Sequence, residues 1–353
     1  MDKKISPALF AIGVIIAIGI LLCGSVLLPH DRYYRYQAHN SITTRHADWI
    51  YERLHFDPKP VHVALVGSSR TIGGLSAPKI EQEFCKQTGK KINVANLGIP
   101  YTGRNMHYVI AKEALRTKQP ALMVVELNEI ETRRPHYGFI FLADPADVIT
   151  APALLNLNYI VDFLRLPGRQ VALFYKSIFN RPDIRSSFDP QKYLPSNRDM
   201  TQTVDFINGQ SKSRDVVHHR DALEEMRTER ANEVSPLHLL PKPLRPLEYR
   251  FSRAYLRKIE SMAEKHASEM SYVYLPAYHA PVPIDGLLKE LDVNKPIIDL
   301  GGSIAFKSSL WLDATHLNAD GAITQSKKFA QQLAQQLTQG ENFTNTLAAC
   351  KPN

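Results

Sequence analysis

Apolar and polar positions alternate in blocks along this chain. Val61-His62-Val63-Ala64-Leu65-Val66 is opened by Asp57-Pro58-Lys59-Pro60 and closed by Gly67-Ser68-Ser69, which reads as a buried strand with a polar end. Ala77 to Thr88 reads as a helix, with Pro78 in its first turn and Gly89 just past its end. Lys91 to Gly98 predicts a second strand, Gly103 to Lys118 a helix and Pro120 to Leu127 a third strand. The pattern resumes late in the chain with a helix over Leu247 to Ala267, strands over Met270 to Tyr278 and Pro296 to Leu300, and a closing helix over Asn318 to Thr338. Strands alternating with helices in this way predict an α/β fold, a three-layer parallel sheet with helices on both faces.

Two stretches depart from that pattern. Ala8 to Leu28 is apolar and uncharged throughout, long enough to cross a hydrocarbon core of ~30 Å at ~1.5 Å per residue. Lys3 and Lys4 precede it, while Arg32 and Arg35 follow, so charge sets its orientation only weakly. A cleaved signal peptide would have a shorter apolar region ending at small residues, and Gly24-Ser25 matches that poorly. Leu22 before Cys23 argues against a lipoprotein site. We read the run as an uncleaved anchor of a single-pass cell (inner) membrane protein whose globular part is extracytoplasmic, with residues 8–28 in the bilayer. The second stretch, from about 130 to 246, loses the period: Pro152 to Leu164 looks helical, and Phe179 to Arg220 is rich in Asn, Asp, Arg, Ser and Gln. The resulting division is a cytoplasmic stub and anchor over 1–29, a juxtamembrane connector over 30–59, a globular domain over 60–339 with an insertion at about 130–246, and a loose tail over 340–353.

Composition narrows the function classes. The formal charge of +8, from 43 Lys plus Arg against 35 Asp plus Glu, is spread along the chain rather than gathered into an arm, and no basic motif interleaved with aromatics points to nucleic acid. Cys23, Cys85 and Cys350 have no metal-ligand spacing, and the adjacent His218 and His219 lack a nearby carboxylate cluster, so neither a metal nor a cofactor is expected. In an oxidising compartment Cys85 and Cys350 either pair or remain two separate thiols.

In a parallel sheet the strands end on one edge, and ligands bind in the crevice beyond it. Gly67-Ser68-Ser69, Asn96-Leu97-Gly98 and Leu127-Asn128-Glu129 follow the first three strands, and Asp313-Ala314-Thr315-His316 precedes the last helix. Acyl transfer needs a hydroxyl nucleophile, a neutral imidazole to take its proton, a carboxylate to hold the imidazole, and donors for the oxyanion. Each has a candidate on this edge. An isolated Gly-Ser-Ser would only cap the next turn.

In these blocks and their order the chain resembles the SGNH hydrolase superfamily, the GDSL-like esterases and acyltransferases, whose sheet is flavodoxin-like. Block by block, the resemblance implies Ser69 as nucleophile, His316 as base, Asp313 as its orienter, and Gly98 and Asn128 as oxyanion donors beside the Ser69 amide. Ser68 stands where the family has aspartate, and Glu126 and Glu129 replace the glycine and aspartate of its third block. Gly-Ser-Ser behind a membrane anchor looks like the envelope proteins of alginate O-acetylation and teichoic acid D-alanylation. The resemblance covers roughly 61–130 and 270–328.

Ser68, Arg70, Glu126, Tyr278 and His279 are further residues expected at the pocket, Arg70 and Arg104 as possible anion contacts; Asn96 is read as support for the turn before Gly98, and Trp311 as packing. The resemblance thus implies a membrane-anchored serine O-acyltransferase or esterase acting on a cell-envelope or exported polysaccharide. A glycan or acylated small molecule would be its substrate, and a multi-spanning membrane protein its acyl donor. The alternative is a catalytically idle module of the same fold that binds glycan or scaffolds an envelope complex.

Overall fold

The computed structural model describes residues 6–37, 44, 46–153, 156, 158–179, 188–192, 199–205, 211–233, 240–280, 285–338 and 347–350. Its centre is a five-stranded parallel sheet, of strands β1 (Val63–Val66), β2 (Val94–Asn96), β3 (Leu122–Leu127), β6 (Glu269–Tyr274) and β7 (Ile297–Asp299). The spatial order β2-β1-β3-β6-β7 reverses direction at β1, which makes the crevice between the ends of β1 and β3 the ligand position of a flavodoxin-like sheet. Val63 pairs with Val94 on one side and Leu122 on the other, so β1 is flanked throughout and its four residues are all buried.

Strand alternation divides the core. Ala64, Val66, Met123 and Val125 face one apolar cluster, and Val63, Leu65, Leu122 and Val124 the other. Of the longer helices, numbered here from α1 (Pro7–Val26), α2 (Ala77–Thr88) and α7 (Ala319–Thr338) cover the second cluster. α3 (Arg104–Thr117) and α6 (Arg250–Lys265) cover the first. Local chemistry sets the ends of α2: Ser76 accepts from the Lys79 amide, and Gly89 closes the helix at φ +66°, a conformation that costs a glycine little.

Between β3 and β6 lie α4 (Tyr159–Phe179), an antiparallel hairpin of β4 (Thr203–Asp205) and β5 (Ser211–Ser213), and α5 (Arg220–Glu233). The helix expected over 152–164 therefore starts later and runs much further. Residues 180–187, 193–198, 206–210 and 234–239 of the expected insertion lie outside the described residues, as do Lys3, Lys4 and most of the tail.

Two expected boundaries differ from the structure. Residues of the 30–59 connector are part of the domain, because the helix Ala47–His55 buries Trp49, Ile50, Tyr51 and Leu54 in the first cluster, with Tyr36 beside them. At the other end, Leu347 is buried in the second cluster, and Cys350 is joined to Cys85 by a disulfide. α1 is a 20-residue helix with no buried residue, long and apolar enough to cross a membrane.

Candidate active site

β1 runs straight into the site. Gly67 has no room for a side chain: a Cβ there would lie 2.0 Å from Thr71 Oγ1 and 2.5 Å from Glu126 Oε2. Ser68 then caps the short helix Ser69–Gly74, its Oγ accepting from the Arg70 amide at 3.2 Å. Ser69 follows as the first helical residue, so its own amide has no acceptor within the helix.

Ser69 Oγ lies 2.9 Å from His316 Nε2. On the far side of the ring, His316 Nδ1 is 2.8 Å from Asp313 Oδ2 and 3.1 Å from Oδ1. With a carboxylate against Nδ1, the neutral ring carries its proton there and leaves Nε2 to accept from the serine hydroxyl. The turn that makes this possible is local. Asp313 Oδ1 accepts from the amides of Thr315, at 2.7 Å, and His316, at 2.9 Å, and from the Thr315 hydroxyl at 3.0 Å. Burial opposes ionisation of Asp313, but the His316 ring and the Thr315 donors prevail and hold its carboxyl well below the usual carboxylate range.

Glu126 lies beneath the nucleophile loop, not on the pocket wall. It continues the Leu122 and Val124 face of β3 and is 1% exposed. Its Oε2 accepts from the Ser68 amide at 2.7 Å, the Thr71 hydroxyl at 2.5 Å and the Thr71 amide at 3.2 Å. Its Oε1 accepts from the Ser68 hydroxyl at 2.6 Å and from Asn128 Nδ2 at 3.2 Å. Asn128 carries a second amide hydrogen beyond that contact. Gly98 lies across the loop, where a Cβ would come 3.1 Å from the Ser68 carbonyl oxygen; its amide donates to Asn96 Oδ1 at 3.2 Å. Asn96 holds the turn as expected, its Nδ2 also donating to the carbonyls of Thr71 and Leu75.

Other expected pocket residues lie elsewhere. Ser68 is 2% exposed and fully engaged beneath the loop. Arg70 is buried in a two-pronged pair with Glu129, at 2.6 and 2.7 Å, and donates to the Leu275 carbonyl at 2.9 Å. It borders a recess of about 10 Å³ beside Ser69, room for no more than about one water. Arg104 is likewise committed to Glu131 and to the Glu126 carbonyl. Tyr278 is buried in a separate cluster with Leu223 and Trp311, stacked on His279, whose Nδ1 pairs with Glu224 at 3.0 Å. Trp311 is packing, its Nε1 donating to the Ile304 carbonyl. No group of metal-ligating side chains is found among the described residues.

Three contributors had no sequence signal assigned to them. Thr315 is one. Arg214 is another: its Nη2 donates to the Leu317 carbonyl at 2.8 Å, its backbone oxygen accepts from the Ala319 amide, and its guanidinium lies where a Gly73 side chain would be. The hairpin that carries it is the third. It stitches the long β3–β6 connection to the His316 loop and walls a cleft of about 530 Å³ at Ser69 and His316. Ile72, Tyr101, Met200, Val204, Val216 and Leu312 give that cleft a largely apolar lining, with Lys212 and His218 among its polar groups.

No protein-family model matches the chain, and no curated protein matches it. Among solved structures it has a likeness to one described as a "putative acylhydrolase" from Bacteroides fragilis, at 13% identity and a TM-score of 0.36, over 85% of this chain and 99% of that one. So distant a likeness carries no functional weight; the geometry around Ser69 does.

Proposed function

We propose that this chain is a membrane-anchored, extracytoplasmic serine acyltransferase or esterase that works through an acyl-enzyme on Ser69. The supporting observation is the unbroken Ser69–His316–Asp313 series at the switch point of the sheet. As Ser69 Oγ attacks an ester carbonyl carbon, its proton passes to His316 Nε2. The carbonyl oxygen takes up negative charge, for which the Ser69 amide and the second hydrogen of Asn128 Nδ2 are the candidate donors; the Gly98 amide joins them only by leaving Asn96 Oδ1. Collapse breaks the ester C–O bond, and the departing alcohol leaves with the proton from His316. A second alcohol or water then gives its proton to His316 and attacks the acyl carbon, and as the bond to Ser69 Oγ breaks that proton passes from His316 back to the serine oxygen. No step calls for a metal or cofactor.

The acceptor we propose is a hydroxyl of a cell-envelope or exported polysaccharide, with the acyl group supplied by a multi-spanning membrane protein. The Cys85–Cys350 disulfide supports an oxidising compartment, and α1 supports tethering to a membrane. A fluorophosphonate probe tests the chemistry. Covalent labelling of the wild type, lost in Ser69→Ala and in His316→Ala while both variants remain folded, is the expected result. No labelling of the folded wild type would leave the idle binding module as the better reading. Release of acetate from acetylated polysaccharide, compared with transfer to an added oligosaccharide, distinguishes hydrolysis from transfer.

A further inference from the structure

α4 is built inside out. Asp162, Leu166, Arg169, Gln170, Leu173 and Ser177 recur at the spacing of one helical face, and that face meets the protein. Arg169 donates to the carbonyls of Ile140 and Ala143, so its guanidinium is spent on the domain. The opposite face carries Ile160, Phe163, Leu164, Val171, Tyr175 and Ile178, all exposed; Leu164 reaches 71% and Tyr175 58%. A water-facing helix places these two classes the other way round. Nor is this a scatter of single residues, because Ile160, Phe163 and Leu164 before the helix-internal Pro167 and Val171, Tyr175 and Ile178 after it fall in a stripe on one side of the helix.

The neighbour of α4 indicates what covers the stripe. Gln170 Nε2 donates to the Val26 carbonyl in the last turn of α1 at 3.3 Å, and the Asp31 amide donates to Ser177 Oγ at 3.0 Å. α4 is thus fastened to the end of the proposed anchor, at the depth where an extracytoplasmic domain meets the bilayer surface. Arg165 and Lys176, both exposed, are eleven positions apart, about three turns, and so share one flank of the stripe. There they can reach anionic headgroups while the apolar face lies among acyl chains.

We propose that α4 lies in the membrane–water interface with its apolar face in lipid, so that the domain is seated on the bilayer where the anchor emerges. This rests on the reading of α1 as a membrane anchor, goes beyond it, and does not depend on the proposed chemistry. The test uses the full chain with Cys23→Ser, reconstituted in vesicles of phosphatidylcholine and phosphatidylglycerol with or without brominated acyl chains. Tryptophan is introduced by Leu164→Trp or Tyr175→Trp, and by Lys86→Trp on α2, in the opposite layer of the sheet. The native Trp49 and Trp311 are buried and give a constant background. The expected result is blue-shifted emission at 164 and 175, quenched several-fold more by brominated lipid than the emission at 86. Water-like emission at both α4 positions, unaffected by brominated lipid, would overturn the proposal. Agreement between the two variants separates a true result from a local distortion.

Discussion

Ser68 and Glu126 are joined twice, amide to Oε2 at 2.7 Å and hydroxyl to Oε1 at 2.6 Å. The residue before the proposed nucleophile is therefore fixed in both backbone and side chain by one carboxyl group from the neighbouring strand. The same group takes both donors of Thr71, one turn into the helix that carries Ser69, and one amide hydrogen of Asn128. Position and orientation of the nucleophile loop and of a candidate oxyanion donor thus share a single buried anchor.

Glu126→Gln tests that anchor. Its amide oxygen must replace Oε2, where two backbone N–H groups cannot turn away, so the nitrogen falls at Oε1. The Ser68 hydroxyl can rotate to accept, but Asn128 Nδ2 then faces a donor and loses its partner. We expect a stability loss of about 1–3 kcal/mol by denaturant midpoint. Probe labelling of Ser69 should slow on the order of tenfold to a hundredfold as Asn128 reorients. Unchanged labelling would separate Glu126 from the chemistry.

Asp313→Asn removes the acceptor that selects the His316 tautomer. The expected loss in turnover is on the order of 10³–10⁴-fold, with little change in fold. Because the folded carboxyl titrates below its unfolded value, the unfolded chain takes up the proton first on acidification. The associated stability is complete above the unfolded value near ~3.9 and fades as pH falls toward the folded one. The Asp313 side chain is 40% exposed, so solvent screens much of this contribution. The turnover deficit should accordingly persist across neutral pH, where the wild type also keeps a small stability advantage over the variant, and that advantage should shrink as pH falls below about 4.

The parts legible in the sequence are those whose signal is local. A valine-rich run closed by Gly-Ser-Ser marks β1 and its end, Pro78 and Gly89 bracket α2, and the Asp313–His316 turn is closed within four residues. Glu126 was not legible as an anchor, because a charged residue in an apolar strand explains itself only through partners more than fifty positions away. Arg70 pairs with Glu129 across a similar distance, so alone it looked available for an anion. α4 was expected to end at Leu164 but runs on through Pro167 and Gly168, residues that ordinarily mark a helix end, and its outward apolar face had no signal of its own. Hydrophobic periodicity reveals that a helix has two faces, but not whether the apolar one meets protein or something outside it.

Arg70 and Glu129 should behave as a structural pair. Burial disfavours both charges, yet the Arg70 guanidinium beside Glu129 holds that carboxyl below its usual range. Arg70→Ala leaves the carboxyl buried with its main partner gone, for an expected loss of about 3–5 kcal/mol by denaturant midpoint. Its pairing contribution to the wild type is present above the unfolded carboxyl value and declines as pH falls through the folded one. If the role is structural, the ratio of KM for an anionic ester to KM for its neutral analogue stays the same in Arg70→Lys. A selective rise in KM for the anionic ester would return Arg70 to the binding surface.

The Cys85–Cys350 disulfide spans 265 positions and ties the end of the described chain to α2. Around it, the Lys91 amide donates to the Ala348 carbonyl at 2.8 Å and the Cys350 amide to the Gly89 carbonyl at 3.0 Å, while Leu347 fills the second core cluster. Cross-linking so long a loop removes many conformations from the unfolded chain, so Cys350→Ser should lower stability by about 2–5 kcal/mol. The disulfide stands apart from the chemistry: neither cysteine touches Ser69, His316 or Asp313, and the site turns close through their own local bonds. Probe labelling at a temperature where the variant remains folded should therefore match wild type, whereas its thermal inactivation should come earlier. Hydrogen exchange offers the structural check. Faster exchange at the Lys91 amide in the variant, with protection at β1 and β3 retained, is the expected pattern; equal exchange at Lys91 would show that the terminal segment holds its place without the covalent bond.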